Sequence, residues 1–339
     1  MPRVSVLMPV YNGEAYLQEA IDSILKQEFT DFEFVIINDG STDHTAEIIQ
    51  SYDDPRIRYF ENEQNIGLVG SLNSGLKLVQ SPYIARMDAD DISMPKRFAN
   101  QVDFLDAHPK VGVLGSAVKV IDGDGNSSNI RRFPENHELI TWSMFFDDPI
   151  AHPTVMMRRE LLKRVRGYRA DMLQAGDYDL WRRLSKVTRF SNLPNVLLFL
   201  RRHDTCITKV HRTQQLNNSI RISHTMISEI LGDNVPLGIV QNLWSKEFER
   251  LSDMHQAGNL IYRLYRASTP GNILSSNEKR MIQRDASIRL LNLFLQKPHS
   301  VFTWYVVALA FRVDPFLVSK LTVRRFLKLF SLQPHDSLS

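Results

Sequence analysis

Along the N-terminal part of the chain, apolar runs and segments of helical period take turns. VSVLMPV (4–10) is almost wholly apolar and stops at Tyr11, Asn12 and Gly13, the pattern of a buried strand that ends in a polar loop. Over 14–27, Ala15, Leu17, Ala20, Ile21, Ile24 and Leu25 fall largely on one face of a helix. EFVIIND (33–39) reads as a second buried strand, and a helix follows the polar group Ser41, Thr42 and Asp43. IRYF (57–60) is a short strand, 68–79 a helix, and Tyr83, Ile84 and Ala85 open a strand that runs into Asp88. The predicted fold class is α/β, a mostly parallel twisted sheet with helices on both faces, joined by right-handed crossovers. Ligands of such sheets sit beyond the carboxyl ends of the strands. Tyr11 with Asn12, Asp39, and Asp88 with Asp90 follow the first, second and fourth strands, so they are expected to meet in one crevice.

Further along, VGVLGSAVKVI (111–121) and the turn DGDGN (122–126) read as a strand leading into a hairpin or loop. His152, in FDDPIAHPTVMMRR (146–159), stands just ahead of an apolar strand, where a lone histidine is commonly structural. QAGDYDLWRRL (174–184) is a helix whose apolar face holds Leu180, Trp181 and Leu184. Asp177, near its start, either faces the crevice or caps the helix; Asp179 reads as a structural acid favoured by the helix dipole. A strand from 196 ends in LRRHDTC, and the plain reading of His203 there is a solvated strand end beside Arg201 and Arg202. Beyond 211, apolar residues recur at helical spacing over 216–231, 239–251, 258–265, 280–295 and 316–330.

Composition adds bounds. The 339 residues have room for a full core and two domains, expected at 1–211 and 212–339, the second helical and basic. The one cysteine, Cys206, excludes an internal disulfide and a cysteine-based metal site, in keeping with a reducing, cytoplasmic setting. No signal peptide is expected from the short apolar stretch at 4–10. The most hydrophobic run, 301–311, has 11 residues before Arg312, short of the roughly 20 a spanning helix needs. It reads as a buried helix of a small bundle. Net charge is +3, but 25 Lys and Arg stand against 29 Asp and Glu in 1–211, and 16 against 9 in 212–339. That asymmetry points to an anionic partner, either a phosphorylated substrate or headgroups on the inner face of the plasma membrane. Nucleic acid is not expected, because the chain has no basic recognition helix, zinc-finger spacing or RNA-stacking aromatic motif.

The chemistry concentrates in YIARMDADDI (83–92). In extended geometry Asp88 and Asp90 project from one face and can share a divalent cation through hard oxygen ligands. The plainer alternative is a solvated loop in which Asp91 caps the helix running on from Pro95. A dinucleotide fold would need G-x-G-x-x-G after the first strand, and a phosphate loop G-x-x-x-x-G-K-[ST]; PVYNGE is neither. A cation on Asp88 and Asp90 would supply the missing charge opposite a pyrophosphate, while Asp39 could accept the ring N–H of a uracil and Tyr11 could pack on the base. Asp39 also suits the turn Asn38, Asp39, Gly40 for backbone reasons alone. No nucleophile elbow is present.

PVYNGE, NDGSTD, NIGLVGSLNSG and ARMDADDI with Pro95 and Arg97, in that order, resemble the nucleotide-sugar half of family 2 glycosyltransferases of the GT-A fold, of bacterial cell-surface polysaccharide type; the resemblance covers about 3–205. It implies that Pro9, Tyr11 and Asp39, with Asn12 beside them, contact the nucleoside of a donor, and that Asn73 and Arg86 lie along the donor site. It further implies that Asp88 and Asp90 handle ribose and metal, Mn²⁺ or Mg²⁺, with His203 completing the metal or diphosphate site. His152 and Arg202 would lie toward the acceptor or diphosphate. Asn65 and Gly67 are either donor contacts or a turn before a helix. The family's acidic pair matches Gly176 and Asp177, so Asp177 takes the place of the general base while the first acid is missing. The activity implied is inverting transfer from a nucleotide-diphosphate sugar, UDP by family expectation, to the hydroxyl of a saccharide or lipid-linked saccharide. Two rivals are a sugar-phosphate nucleotidyltransferase, which would carry an N-terminal Gly-rich loop with Arg and Lys, and a non-catalytic nucleotide-sugar-binding protein, which would have no need of Asp177.

Overall fold

In the computed structural model, residues 1–204, 211–270, 274–296 and 301–319 are described. Cys206 and the part of the expected helix 316–330 after 319 lie outside them. Two compact units are formed, Met1–Ile222 and Ser223–Ser339.

The first unit opens with the alternation read from the sequence: β1 (Val4–Val10), α1 (Leu17–Leu25), β2 (Phe32–Asn38), α2 (Thr45–Gln50), β3 (Ile57–Glu61), α3 (Gly67–Leu78) and β4 (Tyr83–Arg86). β3, β2, β1 and β4 pair in parallel in that order. Every residue of β1 is buried, because both faces of a parallel sheet are covered by crossover helices. Leu17, Ala20, Ile21 and Ile24 of α1 bury completely against the strand residues Val6, Met8, Phe34 and Ile36 in one core. Pro9 is tolerated in this central strand because β4 pairs β1 only as far as Leu7. Its missing N–H thus falls beyond the ladder.

Beyond β4 the sheet continues through segments whose pairing the sequence does not announce. The two-residue β5 (Ile92–Ser93) is followed by α4 (Arg97–Ala107), the long β6 (Val111–Ile121), β7 (Ser127–Arg131) and α5 (His137–Ser143). A 3₁₀ turn at His152–Thr154 leads into β8 (Met156–Arg158), α6 (Arg159–Arg164), α7 (Gly176–Leu184) and β9 (Arg189–Arg201). The strand order is β3-β2-β1-β4-β8-β6-β9-β5, with β7 folded back on β6 as the expected hairpin. β8 runs antiparallel to both β4 and β6, β5 antiparallel to β9, and β6 parallel to β9. β8 therefore bridges two parallel pairs, and the ends of β4 and β9 arrive at the same side.

Helix Arg212–Leu231 crosses the division between the units. The helices expected over 239–251 and 258–265 form as Leu237–Ser245 and Leu251–Ser268, the first ending early because Lys246 turns left-handed (φ 59°). Ser276–Gln296 and Val301–Val313 follow in the second unit. Val306, Ala310 and Val313 are buried, and a Cβ at Gly258 would stand 3.3 Å from Val306, so the hydrophobic run is indeed a bundle helix. Among the described residues no helix is long and apolar enough to cross a membrane.

Candidate active site

The loops after β1 and β2 are laced together. Asn12, at φ 48°, donates its N–H to Ser41 Oγ (2.9 Å) and accepts from the Thr42 N–H at Oδ1 (2.9 Å). Tyr11 stands half exposed at this lip and Pro9 is buried beneath it. Asp39 is buried, and its Oδ1 accepts from Asn62 Nδ2 (2.8 Å) and the Ile66 N–H (3.0 Å). It therefore organises the 62–66 segment. Gly40 has to be glycine: its φ is +68°, and a Cβ would come within 2.8 Å of the Gln64 backbone. Asn65 accepts from the Gly67 N–H (2.9 Å), an Asx turn that starts α3.

Asn73, on α3, does not project a free amide. Its Nδ2 donates to Tyr168 O (2.9 Å) and its Oδ1 accepts from the Tyr168 N–H (3.0 Å), so it fixes the 167–168 turn. The Tyr168 hydroxyl in turn lies 2.8 Å from His152 Nε2. His152 is buried, its ring edge-on to Trp181, and burial followed by the nearby Arg86 charge pushes its pKa well below the usual histidine value. It is a neutral, packed side chain.

The end of β4 carries the charge. Arg86 is buried and ion-paired with Asp88. Oxygen atoms of Asp88, Asp90 and Asp91 all lie within 4.8 Å of one another. Burial, and then the neighbouring carboxylates, hold Asp90 above and Asp91 well above the usual carboxylate range. Asp91 does not cap α4, as the plainer reading had it; its Oδ1 accepts from the Arg201 N–H (2.9 Å) and the residue is buried. His203 Nε2 stands 2.9 Å from Asp90 Oδ2, so it belongs to the cluster rather than to a solvated strand end. Arg202 is exposed, and its backbone N–H donates to Ile121 O (2.8 Å). Three hard carboxylates with an imidazole beside them fit a divalent cation such as Mn²⁺ or Mg²⁺, which would also relieve the like-charge cost on Asp90 and Asp91.

Asp177 enters from α7. Its Oδ1 accepts from the Tyr178 N–H (2.8 Å), and the carboxyl is raised by burial while the charges of Arg86 and Asp88 pull it in opposite directions. α7 is seated by Leu180, Trp181 and Leu184, all fully buried, and by Tyr178, whose hydroxyl donates to Met144 O. Asp179 is buried and paired with Arg183 Nε (2.7 Å), a structural acid as its position suggested. Four residues of this site escape sequence reasoning. Asp91 is signalled by the third acid of the D-A-D-D run, and Arg201 by its place at a strand end. Asp148, pushed well above the carboxylate range by burial and by Asp177, has no local signal, nor has Tyr168.

A parallel half-sheet, an acidic turn after its fourth strand, and a mixed continuation through β8, β6 and β9 make up the GT-A fold of glycosyltransferases. The S. aureus protein TarS (residues 1–349), in its complex with UDP-GlcNAc, superposes with a TM-score of 0.58 at 19% identity, covering 92% of this chain and 89% of that one. The model of glycosyl transferase family 2 matches residues 5–166. The Escherichia coli O-antigen biosynthesis glycosyltransferase WbnJ is 32% identical over 213 residues, 61% of this chain and 82% of its own length. An uncharacterized glycosyltransferase of Haemophilus influenzae is 26% identical over 319 residues, 89% of this chain and 99% of its own. The chain belongs to glycosyl transferase family 2.

Proposed function

We propose that this glycosyltransferase moves a sugar from a UDP-sugar to an acceptor hydroxyl with inversion at the anomeric carbon, in the synthesis of a bacterial cell-surface polysaccharide. The observation that carries the reading is that carboxylate oxygens of Asp88, Asp90 and Asp91 lie within 4.8 Å of one another just past the end of β4, with His203 Nε2 2.9 Å from Asp90, a set of ligands suited to a cation opposite a diphosphate. WbnJ acts in O-antigen biosynthesis and AmsE of Erwinia amylovora in amylovoran biosynthesis, and TarS binds UDP-GlcNAc, which favours a uridine donor and a polysaccharide product.

Tyr11 and Asp39 flank the nucleoside, with Pro9 and Asn12 shaping that lip. Asp88, Asp90 and Asp91, with His203 beside Asp90, would hold Mn²⁺ or Mg²⁺, and a cation there would supply positive charge against the diphosphate. Asp177 takes the proton of the acceptor hydroxyl as its oxygen attacks the anomeric carbon from the face opposite the diphosphate. Arg86, fixed under Asp88, adds buried positive charge on the leaving-group side. His152 is better suited to orienting the Tyr168 hydroxyl than to moving a proton, since burial keeps it neutral. The basic 212–339 region makes peripheral contact with the anionic inner face of the plasma membrane.

The test pairs a product assay with calorimetry on a panel of nucleotide sugars. Asp177→Asn is expected to lower transfer by about 10²- to 10⁴-fold while leaving UDP-sugar affinity intact. Asp90→Ala is expected to abolish the part of donor affinity that depends on added Mn²⁺. Full transferase activity in Asp177→Asn would remove it from the role of base.

A further inference from the structure

The acidic turn is not self-supporting, and one side chain gathers its surroundings. Arg201, the last residue of β9, is 5% exposed. Its backbone N–H donates to Asp91 Oδ1 (2.9 Å), and its Nε donates to Asp90 O (2.9 Å). Nη1 donates to Gly123 O (3.1 Å) and Asp122 O (3.3 Å) in the β6–β7 turn, and Nη2 donates to Glu19 on α1. The guanidinium carbon stands 4.5 Å from the Tyr16 ring centroid, and Tyr16 in turn lies 5.0 Å from the His203 ring. Gly123 keeps that space open, because a Cβ there would lie 3.1 Å from Tyr16 Oη and 3.9 Å from His203 Cβ.

From these contacts we infer that Arg201 is the positioning residue of the cation site. It holds Asp90, Asp91 and His203 in ligating register by tying the acidic turn to α1 and to the β6–β7 hairpin. The inference rests on the reading of the acidic turn as a cation site. Only a planar fork with several N–H groups reaches the Asp90 carbonyl, two turn carbonyls and a carboxylate at once; a lysine carries the same charge on one atom and drops most of them. Two residues further on, His203 inherits its place beside Asp90 from the same strand end. The Glu19 carboxylate balances the guanidinium, so the residue braces the site without setting an uncompensated positive charge beside a bound cation. Arg201 touches no reacting atom in this scheme. It acts through the groups it orients, as outer-sphere partners of metal ligands generally do.

The test is Mn²⁺ binding to the protein alone, followed by calorimetry, with thermal denaturation recorded in parallel. Arg201→Lys is expected to weaken Mn²⁺ affinity by about ten- to a hundredfold. Donor KM measured at limiting Mn²⁺ should rise with it and recover in excess Mn²⁺. Glu19→Gln covers the case in which Arg201→Lys fails to fold, since Glu19 lies on an exposed helix face; by leaving the guanidinium unbalanced it is expected to weaken Mn²⁺ binding about two- to fivefold. Wild-type binding matched by a variant that has lost only thermal stability would reduce Arg201 to a structural brace and overturn the inference. A wild-type protein that binds UDP-sugar but no Mn²⁺ would instead overturn the cation site itself.

Discussion

Asp177 and Asp148 show how one residue's chemistry is set by another far away in sequence. Both carboxyls are raised by burial, and Asp148 is raised further by the charge on Asp177. As a base, Asp177 must be ionised. The acid limb of kcat is therefore expected above the ordinary aspartate value of about 4, read from a pH–rate profile. Asp148 makes a separate prediction about stability. Its folded-state pKa exceeds its unfolded one, so the native state binds the extra proton, and stability falls as pH rises from the unfolded pKa to the folded pKa and is flat beyond. Asp148→Asn removes that fall and keeps the bond from the Ile150 N–H. The variant is expected to be more stable than wild type at neutral pH, by about 1.4 kcal/mol per unit of displacement, with the gain gone below about pH 4. Thermal denaturation at the two pH values decides it, and a variant destabilised at neutral pH would contradict the assignment.

Among the elements, α4 braces the rear of the site. Arg97 is fully buried, burial brings it down to about 9, and its Nη2 donates to Arg86 O (2.6 Å); Gln101 Nε2 donates to Thr154 O (2.7 Å) beside His152. The start of this helix is held from elsewhere. Gln27, at the end of α1, accepts from the Phe98 N–H at Oε1 (3.1 Å) and donates from Nε2 to Ser93 Oγ (3.1 Å) and Met94 O (2.8 Å). A glutamine 71 residues away thus does the work that the sequence pattern assigned to Asp91, leaving Asp91 for the acidic cluster. Gln27→Ala is expected to cost about 1–3 kcal/mol for each buried partner left unpaired, and to raise amide hydrogen exchange at the first turn of α4. Unchanged protection there would show that α4 starts without it.

Over the whole chain, charge is divided between halves: acidic residues outnumber basic ones in 1–211 and basic outnumber acidic by 16 to 9 in 212–339. In the second unit Phe311 and Phe316 are exposed, 50% and 88%, apolar groups that could enter a headgroup layer once the basic side chains bring it close. Liposome flotation is expected to recover the protein with anionic vesicles, to release it as salt rises, and to leave it behind with neutral ones. Equal recovery with both vesicle types, or with neither, would rule out the electrostatic attachment.

What the sequence determined by itself is whatever repeats over a short window. Continuous apolar runs and period-3.6 patterning set β1 through β4 and the helices between them, and the strand-end rule pointed to Tyr11, Asp39, Asp88 and Asp90 as residues that follow the strands' carboxyl ends. The contacts that finish the site join residues of large separation: β8 inserted between β4 and β6, Asn73 on Tyr168, Arg201 on the acidic turn. A buried polar group must find partners wherever the folded chain offers them, and no local pattern records which partner lies on the neighbouring strand. The tertiary structure alone decided those pairings, because they are settled by which strand ends arrive side by side once the apolar faces have been buried.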